Sequence, residues 1–166
     1  MGRLAVVVVM LQWCGGLSGC VDANTPEPWP PLSAERFACK VQPILARQCA
    51  SPACHGNPAR RMQVLAPGRM RMIGELIRAS EAQSTADRDA GLHPPLTKAE
   101  RDFNLIQARG MVRSNAGWPD PPLLSYPLAI GAGGIYHAPN ADVFMSRQDP
   151  DYVILAQWAA GLGGCP

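Results

Sequence analysis

The sequence predicts a mainly helical domain with a short β-hairpin and long loops, and three observations lead there. Apolar residues recur at helical spacing near the start of the domain, in its middle and at its end. Proline and glycine, 17 and 16 residues, are numerous between those stretches, which predicts long irregular connections. Around Ala66-Pro67-Gly68, methionines alternate with polar residues, which predicts the hairpin.

Residues 33–166 amount to one domain's worth of chain, enough to bury one core. Ser33-Ala34-Glu35-Arg36 reads as a helix start with acid in the first turn. Phe37, Val41, Ile44, Leu45 and Gln48 then mark one face, and Pro43 in the interior predicts a kink. From Arg60 to Met72, Met62, Val64, Met70 and Met72 form the alternating pattern, with the methionines read as packing residues. Ile73 to Arg78 reads as a short helical piece. Ala79 to Pro95 reads as loop, with His93 extended before Pro94 and facing solvent. Thr97-Lys98-Ala99-Glu100 is a capping box opening a helix to about Arg113, with Phe103, Ile106, Gly110 and Met111 on its inner side. Three prolines between Trp118 and Pro122 break the chain. Asp149 as N-cap and Pro150 at the first helical position open a last helix. Its apolar side is Tyr152, Leu155, Ala156, Trp158 and Ala159, and Gly161 to Gly164 end it before Cys165.

The N-terminus has a different character. Met1-Gly2-Arg3 is a short positive start and Leu4 to Trp13 an apolar run too short to span a bilayer, so residues 1–19 read as a signal peptide. Leu17-Ser18-Gly19-Cys20 resembles the lipobox of bacterial lipoproteins, which implies cleavage before Cys20, lipid on that residue and firm anchoring by several acyl chains. Ordinary secretion, with cleavage after a small residue, is the alternative. Residues 20–32, with Pro26, Pro28, Pro30 and Pro31, form a semi-rigid tether. The expected location is the cell envelope, on the periplasmic side of a bacterial membrane. A net charge of +2 without a basic stripe gives no reason to expect a nucleic-acid partner.

Cys49-Ala50-Ser51-Pro52-Ala53-Cys54-His55 places two thiols and an imidazole within seven residues. Covalent haem attachment uses two cysteines and a histidine directly after the second, usually as C-x-x-C-H. Each thiol bonds a porphyrin vinyl group and the histidine reaches the iron. Here four residues separate the thiols, so two must loop out; Pro52 suits a bulge, and Gly56 lets the backbone run close to a flat ring. Two other readings use the same residues: a local Cys49–Cys54 disulfide with His55 on the surface, or zinc held by Cys49, Cys54 and His55, for which no second Cys/His pair follows at finger spacing.

The cysteine count fits haem. Cys14 leaves with the signal peptide, Cys20 takes lipid, and Cys49 and Cys54 take haem c. Cys39 and Cys165 remain as a disulfide pair in an oxidising compartment. A haem-free pairing of Cys39–Cys165 and Cys49–Cys54 balances equally well.

Two segments carry a family resemblance. Phe37, then Val41-Gln42-Pro43-Ile44-Leu45, then Cys49 and Cys54-His55-Gly56, is similar to the start of the cytochrome c-like domains common in planctomycete and myxobacterial exported proteins. Leu123-Leu124, Pro127-Leu128, Gly133-Gly134, His137, Phe144, Asp149-Pro150-Asp151-Tyr152 and Trp158 resemble the C-terminal half of the same group. The thiol spacing is longer than the common one, and Ala138-Pro139-Asn140 stands where the family often has glycines. The resemblance implies a cytochrome c-like helical fold, one covalent haem and electron transfer. It also implies a sixth iron ligand from the loop before the last helix, where this chain has His137 and Met145; His137 is the position the resemblance picks out. In class I cytochromes the first and last helices cross in contact, which suits a Cys39–Cys165 bond.

The function expected is that of a membrane-anchored monohaem protein passing single electrons to and from redox partner proteins, and not an enzyme. No Ser/His/Asp arrangement with a supporting motif suggests hydrolysis. The alternatives are a haem-free, disulfide-stapled lipoprotein with a binding or structural role and, behind it, a haem peroxidase with an open iron site.

Overall fold

The computed structural model describes residues 31–112, 120–139 and 141–165. The signal segment, Cys20, almost all of the Pro-rich tether and Trp118 lie outside the described residues.

The protein is mainly helical. The first helix, α1, begins as an α-turn at Ala34–Arg36, passes through a π-helical segment at Phe37–Val41 and continues as α-helix at Gln42–Gln48. The kink expected at Pro43 takes this form: Pro43 has no N–H to give, and the wider π turn, closed by the Gln42 N–H on the Phe37 carbonyl, lies directly before it. Ser33 caps the helix through its side chain. Phe37, Val41, Ile44 and Leu45 are buried as expected, whereas Gln48 faces solvent. Ile73–Ala82 is α2 and Thr85–Asp89 is α3. Residues 79–95 are therefore not all loop. Ser84-Thr85-Ala86-Asp87 starts α3, the Ser84 hydroxyl accepting from the Asp87 N–H.

Lys98–Val112 forms α4, opened by the expected capping box: the Thr97 hydroxyl accepts from the Glu100 N–H and the Glu100 carboxylate from the Thr97 N–H. Its inner face differs from expectation. Glu100, Asn104, Leu105, Ala108 and Val112 are buried, while Ile106 is 64% exposed. Two polar residues take the inner stripe because each finds partners there. The Arg71 guanidinium grips Glu100 bidentately, at 2.7 and 2.6 Å, and also donates to the Pro94 and Pro95 carbonyls. Asn104 donates to Gln42 at 2.9 Å and to the Leu65 carbonyl at 2.8 Å, and accepts from the Leu65 N–H at 2.8 Å.

The same contacts explain why the expected hairpin at Arg60–Met72 is absent. The chain does reverse at Ala66-Pro67-Gly68, with the Ala66 N–H on the Met70 carbonyl. The extended stretch before the turn pairs with side chains of α4: Asn104 serves Leu65, and Gln107 accepts from the Gln63 N–H. With its backbone partners supplied by amide side chains, the segment needs no second strand. Among the described residues there is no sheet, only a single parallel bridge between Leu128 and Phe144.

Pro122–Ser125 is the short helix α5, and Pro150–Ala159 is the last helix, α6, capped by Asp149 on the N–H groups of Asp151 and Tyr152. Helices α1 and α6 meet in the core, where the Phe37 and Trp158 rings lie 5.4 Å apart and the Trp158 indole donates to the Ser33 carbonyl. Arg36 reaches across to Gln157 and Gly164. A Cys39–Cys165 disulfide, Cα to Cα 6.4 Å, ties the same two ends of the domain. Closing so long a loop removes unfolded-state entropy worth on the order of 4–5 kcal/mol.

Candidate functional site

The Cys-His motif sits where α1 runs out. The N–H groups of Cys49 and Ala50 both close on the Leu45 carbonyl, and the chain then coils tightly. Cys54 and Gly56 donate to the Ser51 carbonyl and His55 donates to that of Cys49. The four residues between the thiols are thus taken up by a bulge, with Pro52, Ala53 and Cys54 exposed and Ala50 fully buried. Gly56 packs its backbone onto the Ala50 carbonyl so closely that a Cβ would overlap it. The Val64 N–H donates to the His55 carbonyl. The His55 Nδ1 lies 2.8 Å from the Met62 carbonyl oxygen. A carbonyl only accepts, so Nδ1 carries a proton, which in the neutral imidazole leaves the lone pair on Nε2, the arrangement found in metal-binding histidines.

His137 comes from a loop closed at its neck. The Ala129 N–H donates to the Phe144 carbonyl, those of Val143 and Phe144 to the Pro127 carbonyl, and Leu128 bridges Phe144. Within the loop, Gly133 has φ +92°, and Gly134 lies so tightly on the Leu128 carbonyl that no side chain fits. The ring of His137 stops 5.6 Å from that of His55, the planes 23° apart, and 5.5 Å from that of Tyr126. The His137 Nδ1 is buried with no hydrogen-bond partner among the described residues. Burial holds the pKa of this imidazole below its usual value, helped by the nearby charges of His55 and Arg60 and opposed by Asp142.

Both histidines and both thiols of the motif line one cavity of about 210 Å³. Leu45, Met62, Leu123, Val143, Phe144 and Leu155 supply much of its wall, so it is largely apolar. Burial, with the neighbouring Cys54 adding to it, pushes the Cys49 thiol up to about 12. Neither Cys49 nor Cys54 is in a disulfide, in contrast to the local-disulfide reading. Among the described residues no group of three or more His, Cys, Asp or Glu side chains is placed to hold a bare metal ion, which leaves the zinc reading of Cys49, Cys54 and His55 without support.

The other sequence-derived candidates separate cleanly. Met145 is 70% exposed and does not line the cavity. His93 is exposed, its ring over Gly68. Cys20 lies outside the described residues. No helix among the described residues is long and apolar enough to cross a membrane. Tyr126 was not foreseen as a site residue; a tyrosine between Ser125 and Pro127 carries no local signature, and only the closed loop brings it to His137. Comparison with protein-family models, with curated proteins and with solved structures gives no match.

Proposed function

We propose that the protein is a cytochrome c-like carrier holding one covalent haem c in this cavity and passing single electrons between redox partner proteins. The observation that carries this reading is the convergence of His137 on His55 in an apolar cavity that also contains the thiols of Cys49 and Cys54. A porphyrin supplies four nitrogens to its iron, so the chain has to supply only two ligands, and two imidazoles are what the cavity offers.

Cys49 and Cys54 would hold the haem through thioether bonds. His55, with Nδ1 on the Met62 carbonyl, would present Nε2 to the iron. His137 would be the second protein ligand, and the exposure of Met145 favours His137 over it. The apolar wall excludes water. Haem so bound supplies a one-electron ferric/ferrous couple, and two imidazoles favour the ferric state relative to a thioether ligand. The helical order, with α1 leading into the motif and crossing α6, is consistent with a cytochrome c-like fold. Lipid on Cys20 would anchor the domain in the envelope through its tether.

The test is to express the full chain in a host with a cytochrome c maturation system and record a pyridine haemochrome spectrum with a potentiometric titration. A haem c spectrum and a single reversible one-electron wave are expected. Protein free of haem would favour the disulfide-stapled alternative, and peroxide turnover by a five-coordinate haem would favour a peroxidase.

A further inference from the structure

The two histidines are held very differently. The His55 ring is pinned by a 2.8 Å hydrogen bond to Met62, and its backbone is fixed on both sides, by His55 N–H on Cys49 and Val64 N–H on His55. The His137 ring has no such bond: its buried Nδ1 is unpaired among the described residues. Its backbone is held differently as well. Between Ile135, whose N–H donates to Ser125, and Ala141, whose N–H stays within the loop on Ala138, no described residue makes a backbone hydrogen bond to another described residue outside the loop. Tyr136, Ala138 and Pro139 face solvent. The loop is instead secured at its neck, by Pro127, Ala129, Val143 and Phe144. A segment closed at its base, its outer described residues making no backbone bond to other described residues outside the loop, can move outward without breaking the fold.

We infer that His137 is a releasable ligand, and that the protein binds a small neutral diatomic molecule at the position the imidazole leaves. This inference rests on the haem reading of the cavity. The class of ligand follows from the wall. Leu123, Val143, Phe144 and Leu155 line the space. Asp142 lines it too, while Tyr126 and Gln48 are neutral. An anion entering there loses hydration and meets a carboxylate, whereas a neutral diatomic loses little. No bond other than the one from iron to His137 has to break, and no electron is transferred in the exchange.

Carbon monoxide is the probe, mixed with the reduced, haem-loaded full chain and followed by absorbance, with haem content measured on the same sample. In the wild type the observed rate should climb with carbon monoxide concentration and then level off, the plateau being the rate of His137 release. His137→Ala should remove the plateau and react faster at high concentration by at least about tenfold, the factor expected when a closed state above nine-tenths populated is abolished. Added imidazole should restore the plateau in that variant. Cyanide should bind the ferric wild type far more slowly than it binds the ferric variant.

Haem-containing wild type that takes up no carbon monoxide would overturn the inference while leaving the electron-transfer reading intact. A wild-type rate that stays proportional to concentration would overturn it too, since no internal ligand would then be leaving. A plateau that persists in His137→Ala would assign the gate to another residue. A sample without haem would overturn the reading beneath it.

Discussion

His55 and His137 face the same cavity from two regions built on opposite plans. The His55 wall is local. Seven residues carry the thiols and the imidazole, a tight coil of backbone bonds shapes them, and the Met62 carbonyl fixes the ring. The His137 wall is topological. Its histidine sits in a loop whose shape depends on a neck between Pro127 and Phe144 and on the fit of Gly134 against Leu128. One wall is stiff by hydrogen bonding, the other is placed by closure of a loop. A cavity assembled this way has one side held by bonds to the ring itself and one side held at the neck of a loop.

Substituting the two histidines separately should break the comparison most visibly. On the proposed reading, His55→Ala is expected to lower the haem-to-protein ratio of purified protein steeply, because it removes the imidazole beside the thiols of Cys49 and Cys54. His137→Ala is expected to retain covalent haem in near wild-type amount and to lose only the six-coordinate spectrum. Equal haem loss in both variants would remove the distinction between the walls.

The next effect acts on the support of the stiff wall. The stretch Met62–Leu65, which carries the carbonyl for His55, is docked on α4 by Asn104 and Gln107, and the turn after it is clamped by Arg71 on Glu100. The side chains of that ion pair are 3% and 0% exposed. Arg71→Ala leaves a buried carboxylate without its partner, and a loss of about 3–5 kcal/mol is expected in urea unfolding. Burial alone would raise the Glu100 pKa, but the Arg71 hydrogen bonds and the backbone N–H groups of Thr97 and Met72 outweigh it and hold the carboxyl below its ordinary value. A carboxylate lowered in the folded state contributes stability that is present above the unfolded value of 4.5 and is lost as pH falls through the folded one. Stability should therefore decline from about pH 4.5 downward, and Arg71→Ala should flatten that decline. Glu75 and Asp151 also sit low, so some slope should remain.

Gly134→Ala probes the loop wall. Its Cβ would collide with the Leu128 carbonyl, and relieving the overlap is expected to lower stability by about 1–3 kcal/mol. The diagnostic effect is spectroscopic: a larger five-coordinate fraction than wild type, with haem content unchanged. Gly131→Ala, in the same loop with open space around it, is the matched control and should leave the spectrum as it was. Smallest for the folded domain is Cys20→Ala, which should release the protein from membranes or block its processing and leave the absorption spectrum alone. Unchanged membrane association would point to ordinary secretion or another anchor.

The same contrast explains what could be read from the sequence. Features set by neighbours along the chain were legible: the capping box at Thr97, the Asp149-Pro150 start of α6, the bulge required by the thiol spacing, and the Cys39–Cys165 pairing that the cysteine count allowed. Features set by distant side chains were not. Ile106 looked like an inner residue because it is apolar, yet the stripe of α4 is led by Glu100 and Asn104, whose partners Arg71 and Leu65 come from another segment. The residues from Met62 to Ala66 have a strand's alternation, but their backbone is paired by amide side chains, a pairing that no periodicity encodes. The resemblance alone picked His137 over Met145; no local pattern showed that the course of the loop turns His137 to the cavity and leaves Met145 in solvent.

Covalent haem is the claim on which both walls depend. Intact-mass measurement of the denatured, unreduced protein from a host that matures c-type cytochromes tests it directly, because denaturation strips any haem held by ligation alone. The expected mass is that of the same processed protein without haem plus one haem, and the Cys49→Ser, Cys54→Ser double variant should fall by one haem, apart from the two substitutions. Wild-type protein without the added haem mass, with Cys49 and Cys54 both open to thiol labelling or joined to each other, would contradict it.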